Sequence, residues 1–116
     1  MRRTTVQCLD DILEAAKKIE KYIHGITYDQ FAADEMRKDA VIRNFEIIGE
    51  AIKNLPDEVK EQNHGVDWKK IAGFRDVLSH AYFGIRSTII WDNAVNKLPG
   101  LKTEIRRIFK EKESGK

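Results

Sequence analysis

Four side chains in one short run could do chemistry: Arg75, Asp76, His80 and Tyr82, in Arg75-Asp76-Val77-Leu78-Ser79-His80-Ala81-Tyr82. Asp76 and His80 are four residues apart, so on a helix they share a face. A carboxylate so placed can orient the imidazole and raise its pKa toward neutral. Arg75 precedes His80 by five residues, roughly 140° away around an ideal helix, and must reach the same space with its long side chain. A histidine that shuttles protons and an arginine that clamps a phosphate form a minimal kit for cutting RNA. RNA brings its own nucleophile, the 2′-hydroxyl, so no metal-activated water is needed. Its deprotonation leads to a 2′,3′-cyclic phosphate, with the arginine stabilising the crowded phosphorane. Spacing alone leaves plainer readings open: His80 as a residue suited to a helix C-terminus and Tyr82 as an ordinary half-buried aromatic.

The elements that position this run read as helices. With 116 residues, the chain has the size of one domain, and only two prolines and seven glycines interrupt it. A first helix is expected over residues 4–24, with Ile12, Ala15, Ala16, Ile19, Tyr22 and Ile23 as its apolar stripe and Gly25 as its stop. Asp29 is read as the cap of a second, long helix over 30–54. Phe31 falls in its more polar opening, and Val41, Phe45, Ile48, Gly49, Ile52 and Leu55 carry its apolar face. Arg43, Asn44 and Glu46 put polar groups in mid-helix, most simply as a solvated face. Pro56 ends that helix and opens a short one, Asp57 to Gln62. Asp67 caps a helix over 68–81 with Trp68, Ile71, Phe74 and Leu78 on one side, and Gly73 marks a bend or a close helix contact. A further helix is expected over 86–97, interrupted by Pro99-Gly100, then a last one carrying Leu101, Ile105, Ile108 and Phe109. The charged tail from 110 to 116 is expected to fray. No period-two segment stands out. The fold class is therefore all-α: one domain, residues 1–116, built as a compact up-down bundle of four to five main helices.

Composition narrows the partners. The 21 basic and 19 acidic side chains leave a net charge of +2, so any RNA contact must be a local patch. Cys8 is the single cysteine, which rules out an internal disulfide and suits a reducing, cytoplasmic setting. One cysteine and three scattered histidines do not make a structural zinc site, and no metal or cofactor is expected. No apolar run approaches the ~20 residues that span a bilayer. No apolar stretch of the signal-peptide kind comes after Met1-Arg2-Arg3.

Beyond these local arguments, Phe74-Arg75-Asp76-Val77-Leu78-Ser79-His80-Ala81-Tyr82 resembles the Arg-x4-His-x-Tyr motif of the HEPN superfamily in its HepT form, a group also known as DUF86. The run from Asp39 to Ala51 resembles that family's second helix. Val66 to Gly73 resembles the lead into the motif, and Tyr82 to Ile85 with Ile90-Trp91-Asp92 resembles the segment on its C-terminal side. The likeness covers about residues 5 to 110.

The resemblance implies a metal-independent ribonuclease, the toxin of a type VII toxin–antitoxin pair. Its catalytic residues would be Arg75 and His80, supported by Asp76, where many relatives carry asparagine. Tyr82 would receive AMP from a small nucleotidyltransferase antitoxin of the MntA type. Adenylates so close to His80 would obstruct RNA and repel its phosphates. The resemblance also implies a homodimer with two motifs facing one cleft. Two copies would supply both an acid and a base and bring two Arg75 side chains together. Lys69 and Lys70 would enlarge that patch, unless they are plain solvated surface. No membrane or DNA partner is implied. Two other readings compete: a non-catalytic helical subunit that binds substrate or nucleotide for a two-component nucleotidyltransferase, and a plain oligomerisation module.

Overall fold

Helix α1, Thr5–Ile23, begins where Thr4 and Gln7 form a capping box. Thr4 Oγ1 accepts the Gln7 N–H at 3.1 Å, and Gln7 Oε1 accepts the Thr4 N–H at 2.8 Å. These residues belong to a computed structural model that describes residues 3–80 and 86–115. The side chains of Ile12, Ala15, Ala16 and Ile19 are buried as the apolar stripe requires. Gly25 comes just after the helix with φ 74°, a left-handed turn that a glycine takes without strain.

The long helix expected over 30–54 is instead two helices. Helix α2, Tyr28–Ala33, is capped by Thr27 in a second capping box with Gln30. Asp29, expected as the cap, lies inside the first turn, because Thr27 and Gln30 already satisfy each other's backbone N–H groups. Helix α3, Glu35–Lys53, starts after Asp34, whose backbone is extended (φ −106°, ψ 93°). Asp34 Oδ1 accepts the Arg37 N–H at 3.0 Å, and its Oδ2 accepts from Arg37 Nε at 3.1 Å. Arg37 Nη1 also donates to the Tyr22 carbonyl, tying this break to the end of α1. The break turns α2 so that Phe31 is wholly buried, with its ring centroid 5.2 Å from that of Trp91. Its expected place in a polar opening is thereby corrected.

Pro56 precedes helix α4, Asp57–Glu61, as expected. Helix α5, Trp68–His80, starts where Asp67 Oδ1 accepts the Lys70 N–H at 3.1 Å. Helix α6, Ser87–Asp92, runs into a π-helical turn, Asn93–Lys97, and on into α7, Leu98–Gly115. Pro99-Gly100 therefore does not interrupt the helix. The Leu98 N–H reaches back to the Asn93 carbonyl in this wider turn, and Pro99 follows in the first turn of α7, where a missing N–H is tolerated. The charged tail remains helical to Gly115.

Helix α1 packs on both α3 and α7, α3 packs on α5, and α2 packs on α6. One cluster of buried side chains joins them, including Leu9, Ile12, Ile48, Leu78, Ile90 and Ile105. The architecture is an all-α bundle whose centre is α3 against α1 on one side and α5 on the other. Among the described residues, no helix is long and apolar enough to cross a membrane.

The backbone and side-chain hydrogen bonds from Arg37 hold the Asp34 carboxyl below its ordinary pKa. A lowered folded-state pKa means that the cap stabilises the fold above the ordinary carboxylate value. That contribution is lost as the pH falls through the lowered value. Asp34→Ala should therefore lower the urea midpoint at neutral pH, and the difference from wild type should close in strong acid.

Candidate functional site

The geometry around Arg75 is set by the crossing of α3 and α5. On α5, Leu78 is buried, and Phe74 meets Phe45 of α3 edge to face, with centroids 5.3 Å apart and planes at 84°. Those contacts fix the rotation of α5. The next residue, Arg75, is thereby pressed along the backbone of α3 at Gly49. A Cβ placed on Gly49 would lie 2.5 Å from Arg75 Cβ, 3.0 Å from its Cδ and 3.1 Å from its Cγ. Only glycine leaves room for this approach. Gly73, the glycine expected to allow a close contact, faces open space: a Cβ added to it would meet no atom within 4 Å. The close helix contact belongs to Gly49 instead.

Beyond that contact, Arg75 is held electrostatically. Its Nη2 lies 3.0 Å from Glu50 Oε2, and its Nη1 lies 3.7 Å from Asp76 Oδ1. The Arg75 side chain retains 31% exposure, so it is anchored without being buried. It lines a cleft of about 500 Å³ bounded by α1, α3 and α5, together with Arg3, Asp11, Arg43, Glu46 and Glu50. Arg3 is engaged there by Asp11, through Nε to Oδ2 at 3.1 Å and Nη2 to Oδ1 at 2.6 Å. Cys8 also borders the cleft. Burial, then the Asp11 carboxylate, pushes its thiol pKa up, against a lowering effect of Arg3. A protonated thiol is a poor nucleophile.

The other expected site residues fare differently. Asp76 lies at the edge of the site with 68% of its side chain exposed, close enough to Arg75 for an ion pair. His80 is the last residue of α5, but its side chain lies outside the described residues, as does all of Tyr82. The Asp76–His80 pairing therefore lies outside them too. Lys69 and Lys70 are exposed and do not line the Arg75 cleft.

Of the mid-helix polar residues, Arg43 is exposed and lines the cleft with Glu46. Asn44 is buried, contrary to a fully solvated face, and its Nδ2 donates to the Ala40 carbonyl at 2.9 Å. Glu50 and Gly49 are the site residues that spacing arguments did not single out. A glycine inside an otherwise good helix was the one available signal, since it weakens the helix unless packing requires it.

The protein is thus of a definite class: a small all-α bundle with an arginine locked into a charged cleft. A model of the family described as "Ribonuclease HepT-like" matches residues 12–108. A candidate RNase of Methanocaldococcus jannaschii is 46% identical over 105 residues, spanning 90% of this chain and 87% of the relative. A candidate RNase of Caldanaerobacter subterraneus subsp. tengcongensis is 38% identical over 105 residues, 90% of this chain and 94% of the relative. A protein of Thermococcus cleftensis named as a probable ribonuclease HepT is 37% identical over 110 residues, 95% of this chain and 100% of the relative. No solved structure gives a significant match. The chain belongs to the ribonuclease HepT-like family, and its helical bundle is of the HEPN kind.

The Gly49 contact generates a direct test. Gly49→Ala forces the 2.5 Å Cβ contact with Arg75 to relax by moving α5 or the arginine. It should destabilise the fold by about 1–3 kcal/mol, as overpacking commonly does, measured from urea unfolding midpoints.

Proposed function

We propose that this chain is the toxin of a type VII toxin–antitoxin pair: a metal-independent endoribonuclease that works in the cytoplasm as a homodimer. The observation that carries the reading is Arg75. In a chain of the HepT-like family, it stands at the first position of the motif, anchored through Gly49 and Glu50 with 31% of its side chain open to solvent. An arginine so held meets a phosphate with less ordering left to do, and its planar fork of donors matches two phosphate oxygens at once.

In the proposed reaction His80 of one copy removes the 2′-hydroxyl proton. The 2′ oxygen attacks phosphorus, and the bond from phosphorus to the 5′ oxygen breaks. His80 of the second copy protonates the leaving 5′ oxygen. Arg75 stabilises the extra negative charge on the phosphorane oxygens. Asp76 supports the imidazole. The products are a 2′,3′-cyclic phosphate and a 5′-hydroxyl. For regulation, a nucleotidyltransferase antitoxin transfers AMP from ATP to the Tyr82 hydroxyl and releases pyrophosphate. An adenylate two residues from His80 in sequence adds bulk and negative charge that would obstruct RNA and repel its phosphates.

Expression of wild type, Arg75→Ala and His80→Ala without an antitoxin tests the assignment. Growth arrest and RNA degradation are expected from wild type alone, with purified wild type still cutting RNA in EDTA. RNA binding without cleavage by all three would instead favour a non-catalytic binding subunit. Mass spectrometry after co-expression with the nucleotidyltransferase should find AMP on Tyr82. Modification at another residue would overturn that part.

A further inference from the structure

We infer that Glu50 is a positioning residue for Arg75: it fixes the direction in which the guanidinium faces RNA. The inference rests on the ribonuclease reading and deepens it. Two adjacent residues of α3 divide the task. Gly49 removes the side chain that would block the arginine's stem, so that Cβ, Cγ and Cδ of Arg75 lie along the helix backbone. Glu50 then sets the far end, with its Oε2 3.0 Å from Nη2.

Asp76 cannot do this alone. It is 3.7 Å from Nη1, is 68% exposed, and sits next to Arg75 on the same helix. It therefore ties the guanidinium to its own element, not across to α3. Nor is the Glu50–Arg75 pair a major source of stability. The Glu50 side chain is 53% exposed, and ion pairs this open contribute little to folding. An ion pair of small energetic worth, on the one arginine of α5 and beside a glycine that admits it, acts through orientation. It also leaves donors free, since an arginine has five and Glu50 meets only one terminal nitrogen.

The arrangement predicts a division in kinetics. Loss of Glu50 leaves the positive charge of Arg75 in the cleft, so RNA still binds. What is lost is alignment with the phosphorane, and misplacement of a catalytic group by about an ångström can cost up to about a hundredfold in rate.

The test uses the full chain with Glu50→Gln and Glu50→Asp beside wild type. Three quantities are read: kcat and KM on a short single-stranded RNA, the thermal midpoint, and the NMR order of the Arg75 Nε–Hε group. For Glu50→Gln the expected result is a kcat about tenfold or more below wild type, with KM little changed. The thermal midpoint should be near wild type and the Nε–Hε group disordered, with Glu50→Asp recovering part of both order and rate. A Glu50→Gln protein with wild-type kcat, or with an Nε–Hε group as ordered as in wild type, overturns the inference. Should wild type cut no RNA while Glu50→Gln still frees Arg75, the ribonuclease reading falls and the positioning contact stands.

Discussion

The close crossing of α3 and α5 at Gly49 is the constraint that builds the site. Helix α3 is the central member of the bundle, and its packing against α1 is the most extensive between any two helices among the described residues. It offers α5 a place with no side chain, and Arg75 occupies it. The Phe45–Phe74 pair and buried Leu78 set the rotation of α5, which leaves Arg75 facing the cleft and not the core. The arginine's position is thus set by apolar packing and its direction by charge.

The cleft is balanced in charge, with Arg3, Arg43 and Arg75 against Asp11, Glu46 and Glu50. A net charge of +2 over the whole chain agrees with that balance. Such a surface does not gather nucleic acid by long-range attraction in the way a strongly basic protein does. Recognition of RNA by a single copy would depend on where individual cations point. That places weight on the orientation of Arg75.

Local signals made much of the bundle legible in the sequence. The apolar period of α1, Pro56 before α4 and Asp67 before α5 each act within one helical turn, so residue types alone reveal them. The misreadings have tertiary causes. Asp34 looks like one more polar residue in a helix until Arg37 bonds it as a cap and, through a further donor, ties it to the Tyr22 carbonyl of α1. Pro99 looks like a stop, yet it lies in the first turn of α7, directly after a π-turn that continues the helix from α6. Gly73 and Gly49 cannot be ranked without knowing which one faces another helix. The motif itself was recognisable from Arg75 to Tyr82, but Glu50 stands 25 residues before Arg75 and joins it only through the fold.

If Arg75 serves cleavage of RNA by its own 2′-hydroxyl, the chemistry is written in the ends left on a defined RNA cut by the purified protein in EDTA. The upstream fragment should carry a 2′,3′-cyclic phosphate and the downstream one a 5′-hydroxyl, with neither formed by Arg75→Ala. A 3′-hydroxyl with a 5′-phosphate, or cutting that stops when metal is removed, would contradict that role.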